Sequence, residues 1–218
     1  MASTFPGAID SFTDPLSNSS LSSPSHAGQH SDLNDAVEKV EQYMGLVKVI
    51  PTSVSSAGGT AATLAANGTV TVGSGNTSVT INGAFSSLYD NYRVIYQGGV
   101  GSTEISVQMQ LGSSTTQYYS QLTYAAWTVS STTTLSASNS AKWLYIGSMD
   151  ANSTYLNADI FNPALSKYTM FSAPYVRNSL GGMQMGVHQV ASPYTAFTIT
   201  PESGTITGGT IRVYGYRN

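Results

Sequence analysis

Three histidines, eleven acidic side chains and no cysteine bound the chemistry open to this 218-residue chain. His26 and His30 stand four apart, a spacing that puts two imidazoles on one helical face and, with further ligands, could ring a metal ion. Gly28 between them and Ser31-Asp32 after them predict instead a non-helical turn in which the histidines make polar or capping contacts. Two ligands without a local third fall short of a metal site. His188 lies in the run Gly186-Val187-His188-Gln189-Val190, whose alternation predicts a place on the polar face of a strand. No GxSxG elbow accompanies it, and a histidine without such a motif is not a triad. Asp90, Glu104, Asp150, Asp159 and Glu202 are dispersed, without the neighbouring pair a glycosidase would advertise, so only the fold could bring two together. Gly98-Gly99-Val100-Gly101 and Gly181-Gly182 read as hairpin turns, since neither GxxxxGK[ST] nor GxGxxG follows a strand. The expectation is a protein with no catalytic residues, no metal and no cofactor.

Aromatic side chains remain. Tyr118, Tyr119, Tyr124, Trp127, Trp143 and Tyr145 form a local concentration beside Asn, Gln and Ser. A flat apolar face with a polar edge suits sugar stacking or protein contact, and it suits packing in a β-rich core as well. If the molecule has a ligand-binding face, these six residues mark it.

Only 9% of the residues are charged, against about 25% in an ordinary soluble domain. Polarity comes from Ser, Thr, Asn, Gln and Gly, which suits sheets and turns with a neutral surface. The net charge of −3 and the scattered lysines and arginines argue against nucleic acid as a partner. Residues 1–50 carry six acids against two lysines, so the acidity belongs to the N-terminal quarter. The N-terminus lacks a basic start and an apolar run, and nowhere are there ~18 consecutive apolar residues. Synthesis in a cytoplasm and no membrane insertion are expected.

The elements that would position these residues follow from hydrophobic period. From Pro51 onward the period is two. Tyr92, Val94 and Tyr96 alternate with Arg93 and Ile95, and Ile105, Val107, Met109 and Leu111 alternate with Ser106, Gln108 and Gln110. Short hairpins are expected over 52–80, with turns at Gly58-Gly59, Asn67-Gly68 and Gly73 to Asn76. Further strands are expected at 117–124, 142–148, 155–161, 167–172, 183–190, 195–200 and 210–216, the last two as a closing hairpin. Residues 51–218 thus predict an antiparallel β-sandwich, jelly-roll-like, as one head domain.

Between 25 and 47 the period is helical. Leu33, Val37, Val40, Met44 and Val47 are spaced four, three, four, three, the seam of a coiled coil. Asp32 would be its N-cap, Asp35 and Glu38 would lie in its first turn, and Gly45 would stop it. The stripe fits one helix lying on a sheet or several copies meeting at an axis. No second helical segment exists to receive it, which favours an oligomerising helix over 31–50. Residues 1–30 read as an extended arm, broken by Pro6, Pro15 and Pro24, with Phe5, Ile9, Phe12, Leu16 and Leu21 as single anchors for a partner's surface.

The run FPGAIDSFTDP at 5–15, then LSSPSHAGQHSDLNDAVEKVEQYMG at 21–45, resembles the N-terminal segment of virion structural proteins of tailed bacteriophages, fibre-like and minor tail proteins especially. INGAFSSLYDNYRVIYQGGV at 81–100 and SGTITGGTIRVYGYRN at 203–218 are similar to the β-sandwich tips of that class. The resemblance implies an arm docked on other virion proteins of tail or capsid, a helix registering a homotrimer, and a head that binds a host-surface glycan or protein. It also admits a capsid decoration protein or head fibre, and more remotely a tail-associated glycan-degrading enzyme.

Overall fold

The computed structural model describes residues 26–43 and 45–216, which divide into a helical unit ending at Gly45 and a β unit from Leu46. The anchors Phe5, Ile9, Phe12, Leu16 and Leu21 and the seam position Met44 lie outside the described residues.

In the first unit a single helix, α1, runs from His26 to Tyr43. It starts earlier than expected, so Asp32 is inside it rather than capping it, and its first turn carries no acid. His26 and His30 therefore do share a helix, contrary to the turn expected there. Gly28 costs α1 about 1 kcal/mol relative to alanine without ending it. Leu33, Val37 and Val40 fall on one face at i, i+4 and i+7, and are 54%, 49% and 38% exposed. Gly45, at φ +75°, terminates the helical run as its residue type predicts. Val47 consequently leaves the seam and enters a strand.

The second unit contains β1 (Leu46–Lys48), β2 (Ser53–Gly58), β3 (Thr63–Leu64), β4 (Val70–Thr71) and β5 (Asn76–Asn82). The longer strands follow: β6 (Asn91–Gly101), β7 (Ile105–Leu111), β8 (Tyr118–Ala126), β9 (Thr133–Ser140) and β10 (Trp143–Met149). The chain closes with β11 (Thr154–Phe161), β12 (Thr169–Val176), β13 (Leu180–His188), β14 (Phe197–Pro201) and β15 (Ile206–Tyr216). Mainly β, as the alternation predicts, these strands form a closed antiparallel barrel with extra strands. The ring runs β15, β5, β14, β7, β10, β11 and β6, and returns to β15. At β11 the sheet divides. Thr154 and Tyr155 pair with β10, while Asp159 to Phe161 pair with β12 and begin a wing continued by β13, β8 and β9.

Alternation fills the core as expected, with Tyr92, Val94, Tyr96, Val107, Met109 and Leu111 buried. Ser106, expected on a solvent face, is buried too, because Tyr175 of β12 comes over it. Strand β9 was not anticipated, since TTLSASNS alternates no apolar face. The expected closing hairpin does not form: β14 is inserted between β5 and β7, and β15 pairs with β6 instead. The turns expected at Asn67-Gly68 and at Gly73 to Asn76 are present, whereas the glycines of 98–101 and 181–182, also expected in turns, are within β6 and β13. Gly98 of β6 and Gly209 of β15 face each other at φ +73° and +80°, a backbone that glycine adopts without the cost other residues bear.

Candidate functional site

Strands β7 and β10 of the ring and β8, β12 and β13 of the wing enclose a polar cleft of about 280 Å³. Tyr175 on β12 is buried, with its hydroxyl 3.0 Å from Ser106 Oγ. Arg177 shares that face of the chain two residues on, as strand pleating requires. Its guanidinium donates to Ser106 Oγ at 3.2 Å and to the Tyr175 hydroxyl, and stands 5.0 Å from the Tyr175 ring centroid. That combination of stacking and hydrogen bonding holds the planar cation in place. Arg177 Nε is buried with no hydrogen-bond partner.

Tyr124 from β8 and Tyr145 from β10 add two half-buried rings, and Glu104 and Glu202 add exposed carboxylates from either end of the chain's β7 to β14 span. Ser179 Oγ donates to Glu104 Oε1 at 2.5 Å, and the Glu202 amide donates to the Ser106 carbonyl at 3.0 Å. Burial raises the Tyr145 phenol, and the charge of Glu202 raises it further. Burial also raises Tyr175, with Ser106 and Arg177 opposing and Glu202 adding to the rise. The Glu202 carboxylate thus acts on both rings. Two acids from distant parts of the chain do line one cleft, as dispersed residues can only through the fold. A glycosidase general acid, however, needs an apolar enclosure to keep its proton, and both of these acids are exposed.

Trp127 belongs beside this cleft. It is 62% exposed, yet its indole Nε1 donates to the Arg177 carbonyl at 3.2 Å, and its ring lies over Gly181, where a Cβ would come within 2.1 Å of it. Of the six aromatic residues singled out in the sequence, Tyr124, Trp127 and Tyr145 therefore converge. Tyr118 and Trp143 do not: both are fully buried, edge to face at 5.5 Å, and packing claims them. Tyr119 faces a separate shallow apolar depression of about 620 Å³ with Phe161, Met170 and Met185. Tyr175, Arg177, Glu104 and Glu202 were not anticipated as site residues. The Tyr175–Arg177 spacing was the one local signal, since the carboxylates are 98 residues apart in sequence.

His188 is not on a polar face. It is fully buried and stacked on Tyr118 at 3.9 Å. Its Nδ1 lies 3.3 Å from the Gln117 carbonyl and Nε2 lies 2.7 Å from the Tyr194 hydroxyl. Burial lowers its pKa, with the Gln117 contact opposing. The neutral ring then donates through Nδ1 and accepts from Tyr194. Among the described residues no group of three His, Asp or Glu is placed to hold a metal ion, and no helix is long and apolar enough to cross a membrane. No protein-family model matches this chain, and no curated protein matches it significantly.

Proposed function

We propose that this chain is a non-enzymatic structural protein of a bacteriophage virion, a homotrimeric fibre or minor tail protein that presents its β domain for binding to a host-surface glycan or protein. The assignment to phage rests on the N-terminal resemblance described above. Binding rests on one observation: the exposed Trp127 is fixed by Arg177 beside a cleft lined by Tyr124, Tyr145 and Tyr175. A tryptophan left in solvent but pinned by its indole N–H is a contact platform, since such rings concentrate binding energy in recognition surfaces. The half-exposed stripe Leu33, Val37 and Val40 supports self-association through α1. We also read the wing, whose Phe171 packs on Trp143 at 4.8 Å, as the second layer of a jelly-roll-like sandwich.

The reading is tested by competition. Soluble full-length protein is expected to block particle adsorption to host cells, and Trp127→Ala with Tyr145→Ala to weaken that block at least tenfold, as loss of two contact aromatics does. Equal blocking by both proteins would overturn the binding role. A capsid decoration protein or head fibre is the second reading, favoured by the methionine-rich outer face on which Met170, Met183 and Met185 are 43%, 49% and 53% exposed. Labelled protein imaged on intact particles separates tail from capsid.

A further inference from the structure

The charge and shape of the cleft narrow its ligand. Its volume of about 280 Å³ is small, at the lower edge of the ~300–1,000 Å³ typical of ligand pockets, so it admits a sugar ring rather than a larger folded epitope. Tyr124 and Tyr145 offer half-buried ring faces within it, and Trp127 offers an exposed one beside it. Stacking on such faces suits the C–H face of a pyranose, which leaves hydroxyls at the edges for acceptors. The acceptors are carboxylates. Glu104 and Glu202 bring two negative charges against the one positive charge of Arg177, whose guanidinium is turned onto Ser106, the Tyr175 hydroxyl and the Tyr175 ring, so the cleft keeps a net negative charge on its exposed side. What faces a ligand is aromatic and anionic, a combination that favours cations and opposes acidic sugars.

Resting on the binding role proposed above, we infer that the cleft recognises a sugar bearing a free amino group. Its ring stacks on the tyrosines and its ammonium is taken by Glu104 and Glu202. A residue-level consequence follows for Glu202 in particular, since its charge already reaches Tyr145 and Tyr175 and would be offset by the bound ammonium.

The experiment is calorimetric titration of the full-length protein with three probes of equal length: a glucosamine tetramer, its fully N-acetylated counterpart, and a galacturonate tetramer. At pH 5.5 the glucosamine tetramer is expected to bind roughly three- to tenfold more tightly than the acetylated one, the advantage that two exposed carboxylates supply. The galacturonate tetramer is expected not to bind. Glu104→Gln with Glu202→Gln, both at exposed positions, should remove that advantage, so that the glucosamine and acetylated tetramers bind within about twofold of each other. Raising the pH to 8.5, which deprotonates the sugar amine, should do the same in the unaltered protein. Equal or better binding of the acetylated or acidic probe, or an advantage that survives the double substitution, overturns the inference. If no probe binds but Trp127→Ala still abolishes the adsorption block, the aminosugar assignment falls while the binding role stands. If no probe binds and the substitution changes nothing, both fall.

Discussion

At the scale of single residues, burial decides which of the chemistry-bearing side chains can act. Tyr118, His188 and Trp143 looked like contact or polar residues by type and position, and the structure stacks them into one another. Ring contacts of 3.9 Å and 5.5 Å link His188 to Tyr118 and Tyr118 to Trp143. Fully burying an aromatic of this size is worth about 1.5–3 kcal/mol, more than a surface contact returns. The same burial makes His188 an acid-sensitive element. Its native pKa lies below the ordinary 6.5, so below pH ~6.5 the unfolded chain binds a proton that the native ring refuses. Its contribution is complete above that pH and is lost as the pH falls through the native value. Urea unfolding is therefore expected to show a midpoint that declines from pH 7 to pH 5. His188→Gln, which keeps hydrogen-bonding capacity without titrating there, should flatten that decline. An unchanged slope would show that another group carries it.

Elements were legible to different degrees. Strands with an apolar face, such as β6, β7 and β11, follow their alternation, because a period of two turns every second side chain to the same side. β9 was invisible for the same reason: a strand with no apolar face leaves no period to see. The stripe marks the helix and Gly45 stops it as expected, but its N-terminus lies earlier than the cap signal predicts and its last seam position is in a strand. Six of its residues, 26–31, precede the expected cap, and Val47 belongs to β1, where it pairs with Gly215. The residual seam of Leu33, Val37 and Val40 still makes a prediction at this scale. Val37→Asp with Val40→Asp should leave the β unit folded, with an unchanged near-ultraviolet signal, and convert the protein to a monomer in sedimentation. A single charge at such a seam costs as much as the packing it replaces, and two leave none. An oligomer of unchanged mass would show that α1 is not the interface.

For the whole molecule, the division at Gly45 matters most. Residues 46–216 own a continuous core, running from Val70 to Val213 and closed by β6 against β15. Arg93 and Asp159 brace that closure from adjacent strands, with paired hydrogen bonds of 2.8 and 2.9 Å, and Tyr216 donates to the same carboxylate. Burial pushes the Tyr216 phenol up to about 12, and the Asp159 bond raises it as well. Burial alone would raise Asp159, but Arg93 and Tyr216 together hold it below its ordinary value. A unit with its own core is expected to fold without the N-terminal segment. On the virion role proposed above, deleting residues 1–30 is expected to abolish incorporation into particles while leaving the melting temperature of the β unit within about 2 °C, a shift no larger than ~0.5 kcal/mol produces. Normal incorporation would exclude a docking role for the arm.

Local pattern by itself determined the class of the protein and the identity of most core residues. A period of two, turn-forming glycines and low charge are properties of neighbours in the chain, and they specify strands whichever strands they meet. Partnership is not local. The seating of β14 between β5 and β7, the closure of β6 on β15, and the convergence of Tyr124, Tyr145, Tyr175, Arg177, Glu104 and Glu202 depend on register between segments up to about 120 residues apart. Many registers satisfy the same alternation, and only packing of the whole core selects among them. The aromatic residues were therefore visible in the sequence as a group, while the tertiary structure decided which became core and which stayed exposed or half-buried at the cleft.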